Sequence, residues 1–286
     1  MPTPFVPVTG LLGHLSLLRA EQSDSVVHLR LARPEKRNSI SDTLINEIHT
    51  AFVNLPESAR VVVISGEGQH FCAGLDLSEV TERSVAEGIL HSRAWHAAFD
   101  QIQFGRVPVI CALHGAVVGG GLELAASAHL RVADSTAFYA LPEGQRGIFV
   151  GGSGSARIPR LVGVSLMTDM MLTGRVLDAI QGHAAGFSTY LVEPGCGFDT
   201  AVELARRIAT NAPLSNFSII QALPRIADMS QSDGLFVESL MSAIAQGDDA
   251  AKQRVRGFLD KRGARSAKTT SRGSPIAARP MLFRTY

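Results

Sequence analysis

Two glutamates lie beside glycine-rich segments, and the residues around them suggest that they could take part in a reaction. Glu123 follows three consecutive glycines, and Glu143 comes 20 residues later, immediately before another glycine. Taken singly, each could be a solvated surface acid, but apolar residues flank both and neither belongs to a run of charges, which favours a functional role. Two carboxylates that meet in one pocket can exchange protons with a substrate as general base and general acid. We therefore treat Glu123 and Glu143 as the candidate catalytic pair.

The three glycines before Glu123 could supply a second chemical element. Residues 119–121 lie between a buried-looking strand at 109–113 and an apolar helical pattern that begins at Leu122. The N–H groups in the first turn of a helix have no partner within the helix and lie at the positive end of its dipole. Such a turn can offer bare N–H donors to a negatively charged oxygen. The alternative is a tight turn in which glycine only lets helix and sheet pack closely.

Strands that alternate with helices must position these residues. The apolar patterns predict a hairpin from 15–19 and 26–31, and further strands at 60–65, 109–113 and 130–133. Predicted helices are one capped by Ser41 that reaches Phe52, and others at 87–104, 164–173, 199–211, 213–226, 232–246 and 248–261. We interpret residues 138–147 and 187–192 as loops. This order predicts an α/β core followed by a helical C-terminal part.

Composition and charge restrict the class of protein. With 45% hydrophobic and 19% charged residues among 286, the chain is typical of a globular protein, and we expect no membrane span and no secretory signal. Three scattered cysteines favour a reducing compartment, so we expect a cytoplasmic protein. Residues 262–286 carry six basic and no acidic side chains, whereas residues 1–261 carry 21 basic and 26 acidic ones. We expect no nucleic-acid partner for this acidic body, and we interpret the basic tail as a flexible appendage.

Other candidate sites are weaker. His70, His114 and the pair His91 and His96 do not have the spacing of a metal site, so we expect no metal. The run at 151–154 lacks the Lys-Ser/Thr of a phosphate-binding P-loop, and the serines near it have no nucleophile-elbow sequence.

Four segments in order resemble the signature series of the crotonase (enoyl-CoA hydratase/isomerase) superfamily. They are Phe-Cys-Ala-Gly-Leu-Asp-Leu at 71–77, Gly-Gly-Gly-Leu-Glu-Leu-Ala at 119–125, Leu-Pro-Glu at 141–143 and Arg-Leu-Val-Gly at 160–163. The resemblance covers roughly residues 15–261. It implies a crotonase (ClpP/crotonase-like) α/β fold, with a core of β–β–α spiral turns and a C-terminal helical trimerisation region.

The resemblance also implies roles for the candidate residues. In that family two backbone N–H groups bind the thioester oxygen of an acyl-CoA, and here they would belong to Leu75 and Gly120. The hydratases of the family use two glutamates, which match Glu123 and Glu143, to add water across the Cα=Cβ bond. The chemistry needs no metal and no cofactor, because coenzyme A is part of the substrate.

The coenzyme A site is likewise inferred from the resemblance. It would include Arg37 in the polar loop at 33–37, and Ala73, Asp76 and Leu77 in the first motif. In relatives, a C-terminal helix borders the coenzyme A site of a neighbouring subunit, and the matching residues here are Phe258 and Lys261. We therefore expect a homotrimer or a dimer of trimers with an acyl-CoA substrate.

The reaction implied is enoyl-CoA hydration, with syn addition of water. An enoyl-CoA isomerase or an acyl-CoA thioester hydrolase on the same site is an alternative, as is a non-catalytic RNA-binding or scaffold member of the fold. Residues 150–155 depart from the Pro-Gly-Ala-Gly-Gly-Thr-like run of many relatives, and 144–146 form an unusual polar insertion. The run at 141–150 resembles the methylthioacryloyl-CoA hydratases, so the acyl group stays open.

These expectations divide the chain into four parts. Residues 1–14 are predicted to be an N-terminal extension and residues 15–198 the spiral core with the active site. Residues 199–261 would form the C-terminal helical region, and residues 262–286 the basic flexible tail.

Overall fold

A computed structural model describes residues 3–79 and 82–259 of the protein. Its core contains short β-strands. The strands are β1 (Val6–Pro7), β2 (Leu18–Ser23), β3 (Val26–Leu31), β4 (Val61–Gly66), β5 (Val109–Leu113), β6 (Ala116–Val118), β7 (Leu130–Asp134), β8 (Phe138–Ala140), β9 (Val176–Asp178) and β10 (Tyr190–Val192).

The helices are α1 (Asp42–Val53), α2 (Val85–Gln103), α3 (Gly120–Ser127), α4 (Gly154–Val162), α5 (Val164–Thr173), α6 (Ala179–Ala185), α7 (Gly197–Ala209), α8 (Pro213–Ile226), α9 (Gln231–Gly247) and α10 (Asp249–Leu259). Short 3-10 turns lie at Gly10–His14, Pro34–Lys36, Leu77–Glu79 and Gly144–Arg146.

A seven-stranded sheet has the order β1-β2-β3-β4-β5-β7-β10. The predicted hairpin of β2 and β3 is antiparallel, and the pairs from β3 to β10 are parallel. Helix α7 covers one face, where Val61 and Val63 of β4 contribute to a small core. Val62 and Ile64 point to the opposite face and join the main core. The continuous apolar run of β4 is explained by this burial on both faces.

A three-stranded sheet of β6, β8 and β9 is the layer that carries the site. Strands β6 and β8 are parallel, with Val117 opposite Tyr139. We expected residues 138–147 to form a loop, but the first three form β8. A strand of three residues is too short to produce a recognisable alternation, and it is defined by its backbone hydrogen bonds to β6 and β9. Strand β10, which lies within the predicted loop at 187–192, is also only three residues long and for the same reason could not be recognised from the sequence.

Side-chain caps fix the start of the helices that face the site. The Ser41 Oγ accepts a hydrogen bond from the Leu44 N–H, as the sequence predicted for α1. Ser84 and Glu87 form a reciprocal capping box at the start of α2, which therefore begins two residues before the predicted position. Helices α5 and α8 have the predicted bounds, whereas α4 and α6 were not predicted.

The described residues form two compact units, one that ends at Asp228 and one that begins at Met229. The first contains both sheets and α1–α8, and the second contains α9 and α10. The four-part division predicted from the sequence stays a prediction, although Val6 and Pro7 pair with β2 at the edge of the large sheet. Within the described residues, none of the helices combines the length and apolar character that a membrane span requires.

Candidate active site

The backbone of the first motif, residues 71–77, turns one N–H toward the glycine run. Leu75 pairs with Ile40 in an isolated parallel bridge. The Ile40 N–H donates to the Gly74 carbonyl at 2.7 Å, and the Asp76 N–H donates to the Ile40 carbonyl at 2.9 Å. In such a bridge only the residues on either side of Leu75 bond to Ile40. The Leu75 N–H therefore points away from Ile40.

The N–H of Gly120 lies beside that of Leu75. Gly120 is the first residue of α3, and a Cβ on it would lie 3.6 Å from the Leu75 nitrogen. Gly74 has φ +90°, and a Cβ there would be 2.7 Å from the Val118 oxygen and 3.2 Å from the Gly120 nitrogen, so this contact requires glycine. Within residues 3–79 and 82–259, neither the Leu75 nor the Gly120 N–H has a hydrogen-bond acceptor. Two adjacent unpaired donors can bind one oxygen anion.

Glu123 lies one helical turn beyond Gly120 and is 3% exposed. Its Oε1 accepts hydrogen bonds from the N–H groups of Gly152, at 2.9 Å, and Gly154, at 2.7 Å. The pKa of Glu123 is raised to about 7, above all by burial and also by the charge of Glu143, while the two hydrogen bonds and the charge of Arg157 oppose the rise. The carboxyl group is therefore held by one oxygen and can bind or release a proton near neutral pH.

Glu143 reaches the same place from β8. Since α3 follows β6 and Glu143 follows β8, the parallel pairing of these strands brings both glutamates to one sheet edge. Glu143 is 6% exposed, and burial raises the pKa of its carboxyl group, although the nearby Arg146 lowers it. Its Oε2 is buried and has no hydrogen-bond partner among the described residues. This oxygen is therefore available to accept a hydrogen bond from a molecule bound in the site.

One cavity of about 340 Å³ unites these groups. Leu75, Gly120, Glu123 and Glu143, which the sequence singled out separately, all line it. Its other walls come from the first motif, from α2 and from residues 146–152. Among the described residues, no group of three or more His, Cys, Asp or Glu side chains could hold a metal ion. The cavity thus combines two buried carboxyl groups with two N–H donors.

Sequence reasoning did not find two structural supports of this site. The Trp95 ring lies against the glycine turn, so a Cβ on Gly120 would come within 3.0 Å of its Cζ3. The second support is the pair of amides of Gly152 and Gly154, which hold Glu123. The glycine run at 151–154 was a usable signal for these donors, but Trp95 stood in no recognisable motif.

The predicted coenzyme A residues have different surroundings. Ala73 and Leu77 line the cavity, and the Ala73 N–H donates to the carbonyl of the exposed Arg37. The Asp76 carboxylate accepts from Ser78 and pairs with Arg33 at 2.8 Å, and these contacts, the hydrogen bond from Ser78 above all, lower its pKa. Asp76 thus connects the polar loop to the first motif.

The contacts of two C-terminal residues with coenzyme A are not tested. Phe258 lies in α10, within the second compact unit, and Lys261 lies outside the described residues. Their roles, like those of the other predicted site residues, stay predictions.

The raised pKa of Glu123 predicts that the protein loses stability as the pH rises. The carboxyl group of Glu123 ionises near pH 4.5 in the unfolded chain and near pH 7 in the folded protein. As the pH rises from the first value to the second, the unfolded state therefore becomes progressively more favoured. The loss is up to about 3 kcal/mol, from 1.36 kcal/mol per pKa unit. We expect Glu123→Gln, which removes this titration, to be more stable than the wild type at pH 8 and no more stable at pH 4.5. Urea unfolding at both pH values measures this, and an equal difference at both would contradict it.

Comparison with known proteins shows the family of this chain. The sequence matches the family described as enoyl-CoA hydratase/isomerase over residues 21–267. The chain belongs to that family. The crotonase superfamily, which the four motifs predicted, is therefore confirmed. Membership of this family also confirms the prediction that the protein is an enoyl-CoA hydratase-like enzyme.

Curated relatives are similar over most of their length. The 2,3-dehydroadipyl-CoA hydratase of Escherichia coli K12 is 30% identical over 252 residues, which cover 87% of this chain and 97% of the relative. The short-chain-enoyl-CoA hydratase of Clostridium acetobutylicum is 29% identical, over 85% of this chain and 94% of the relative.

Solved structures confirm the predicted crotonase fold. A protein of Rhodopseudomonas palustris CGA009, provisionally assigned as an enoyl-CoA hydratase, is 53% identical with a TM-score of 0.85. The match covers 90% of this chain and all of that one. The enoyl-CoA hydratase of Bacillus anthracis is 26% identical with a TM-score of 0.81, over 86% of this chain and 97% of the other.

Proposed function

We propose that this protein is an enoyl-CoA hydratase, which adds water in the syn sense across the Cα=Cβ bond of an acyl-CoA thioester. The observation that carries the proposal is the meeting of two buried carboxylates and two unpaired backbone N–H groups in one cavity. No metal or cofactor enters this proposal, since proton transfer and oxyanion binding suffice for the reaction.

The N–H groups of Leu75 and Gly120 stabilise the charge that develops on the substrate. As hydroxide adds to Cβ, the electrons of the double bond move toward the thioester carbonyl, whose oxygen becomes negative. Fixed amide dipoles stabilise that oxygen without having to reorganise. Because both donors are backbone groups held by the Ile40 bridge and the start of α3, they are in position before the substrate arrives.

Glu123 and Glu143 move the protons. One glutamate, as a carboxylate, takes a proton from the water while the water oxygen bonds to Cβ. The other glutamate, in its protonated form, gives a proton to Cα. The number of protons on the pair is unchanged over the cycle. Burial favours this exchange because it raises both pKa values and lets the two groups titrate as a coupled pair. The unpaired Oε2 of Glu143 is free to bind the water.

Hydration of crotonyl-CoA tests the proposal. The absorbance of the conjugated thioester should disappear, a 3-hydroxyacyl-CoA should form, and no free coenzyme A should be released. Release of coenzyme A would instead identify a thioester hydrolase, and a shifted double bond without water addition would identify an isomerase.

We also propose a homotrimer or a dimer of trimers as the active assembly. Helix α8 exposes Ile219 and Leu223, which lie one turn apart on one face, by 53% and 61%, and exposed apolar faces of this kind are typical of protein interfaces. Closed point symmetry is the usual arrangement that covers such a face. We expect light scattering to give three or six times the mass of one chain. A monomer at micromolar concentration would contradict this proposal.

A further inference from the structure

Exposed Arg146 lines the cavity and forms no ion pair with a carboxylate of the described residues. It ends the 3-10 turn Gly144–Arg146 that directly follows Glu143, and it lines the cavity with that glutamate. No carboxylate of the described residues forms an ion pair with its guanidinium, whereas Arg157 pairs with Asp100 at 2.5 Å. The charge of Arg146 acts on Glu143, whose pKa it lowers, so the guanidinium lies near the reacting groups.

The other basic residues that line the cavity are paired with a carboxylate. They are Arg83 and His91, and both bind Asp42, at 3.2 and 2.6 Å respectively. Asp42 itself does not line the cavity. Among the described lining residues, the acidic ones are only Glu123 and Glu143, and Arg146 is the basic one that has no ion-pair partner.

The acyl chain should run toward Arg146. In the proposed reaction the thioester oxygen lies at Leu75 and Gly120, and Cα and Cβ lie between the glutamates. Atoms beyond Cβ then pass Glu143 and reach the side of the cavity that Arg146 lines. Apolar Ile148 and Phe149 follow on the same wall and cannot neutralise a guanidinium.

An acyl chain that ends in a methyl group and one that ends in a carboxylate would interact differently with Arg146. A chain that ends in a methyl group would displace water from the guanidinium without offering it a hydrogen-bond acceptor, which is unfavourable. A carboxylate end would form a charge-assisted and potentially bidentate pair with it. The second arrangement also gives a function to the polar insertion at 144–146.

We propose that the substrate is an enoyl-CoA whose acyl chain ends in a carboxylate, and that Arg146 binds this carboxylate. The inference rests on the proposed hydratase function. It makes Arg146 a determinant of specificity and assigns it no part in the proton transfers.

A matched pair of substrates tests the inference. One is trans-2-hexenoyl-CoA, and the other has the same six-carbon chain with a carboxyl group in place of the terminal methyl. We expect kcat/KM of the wild type to be at least about tenfold higher for the acid, a preference that corresponds to about 1.4 kcal/mol. Arg146→Met should reduce this ratio to about one or below, and Arg146→Lys should keep part of it.

Arg175→Met is the matched control. Arg175 is an exposed arginine that pairs with Asp169 and does not line the cavity, so its loss should leave the ratio unchanged. Equal kcat/KM values for both substrates in the wild type, or an unchanged ratio in Arg146→Met, would overturn the inference and leave the hydratase proposal standing. Failure to hydrate either substrate would overturn the hydratase proposal and the inference with it.

Discussion

Replacement of either glutamate with glutamine should lower the hydration rate by a factor on the order of 10²–10⁴. Glutamine keeps the shape of the side chain but cannot transfer a proton, and at position 123 its Oε1 can still accept the N–H groups of Gly152 and Gly154. The Glu123→Gln/Glu143→Gln double variant should be little worse than either single one, because both groups act in the same step. Stopped-flow or steady-state hydration of crotonyl-CoA measures all three, with release of coenzyme A followed in parallel.

Glu203→Gln provides a matched control for these variants. Glu203 is exposed on α7, and its replacement should leave the rate unchanged. Because Glu123→Gln should be at least as stable as the wild type at neutral pH, a loss of rate would not reflect unfolding. Full hydratase activity in either single variant would end the two-carboxylate mechanism. An enzyme that needs one of the two would then be an isomerase or a hydrolase.

The second large effect concerns the N–H of Gly120. Gly120→Pro removes this donor, and loss of one oxyanion donor typically costs ~2.7–4 kcal/mol, or a factor of about 10²–10³ in kcat. Proline is tolerated at the first position of a helix, so α3 itself should form. However, any side chain here meets Trp95 at about 3.0 Å, and this clash needs a control.

Gly120→Ala separates the two causes. Alanine introduces the same contact with Trp95 but keeps the N–H, so its loss of activity should be clearly smaller than that of proline. Leu75→Met also keeps the backbone donor and should be mild. Comparable losses in the alanine and proline variants would show that packing against Trp95, and not the hydrogen bond, explains the effect. Thermal melting of each variant checks that it folds.

Several features of the protein followed from the sequence alone. Local patterns predicted the β2–β3 hairpin, the cap at Ser41, and the bounds of α5 and α8, because periodicity and capping depend on neighbouring residues. The four motifs predicted the family and singled out Glu123, Glu143, Leu75 and Gly120, since they preserve residue types at fixed places along the chain.

The tertiary structure decided how these residues meet. Glu143 reaches Glu123 only because β8 pairs with β6, and three residues produce no periodicity that would predict this pairing. Likewise, Gly152 binds Glu123 and Trp95 covers Gly120 through contacts between residues 25 or more positions apart. The position of Arg146 in the cavity follows from the same folding of distant segments. Such contacts depend on the packing of whole elements, which the order of residue types within one segment does not specify.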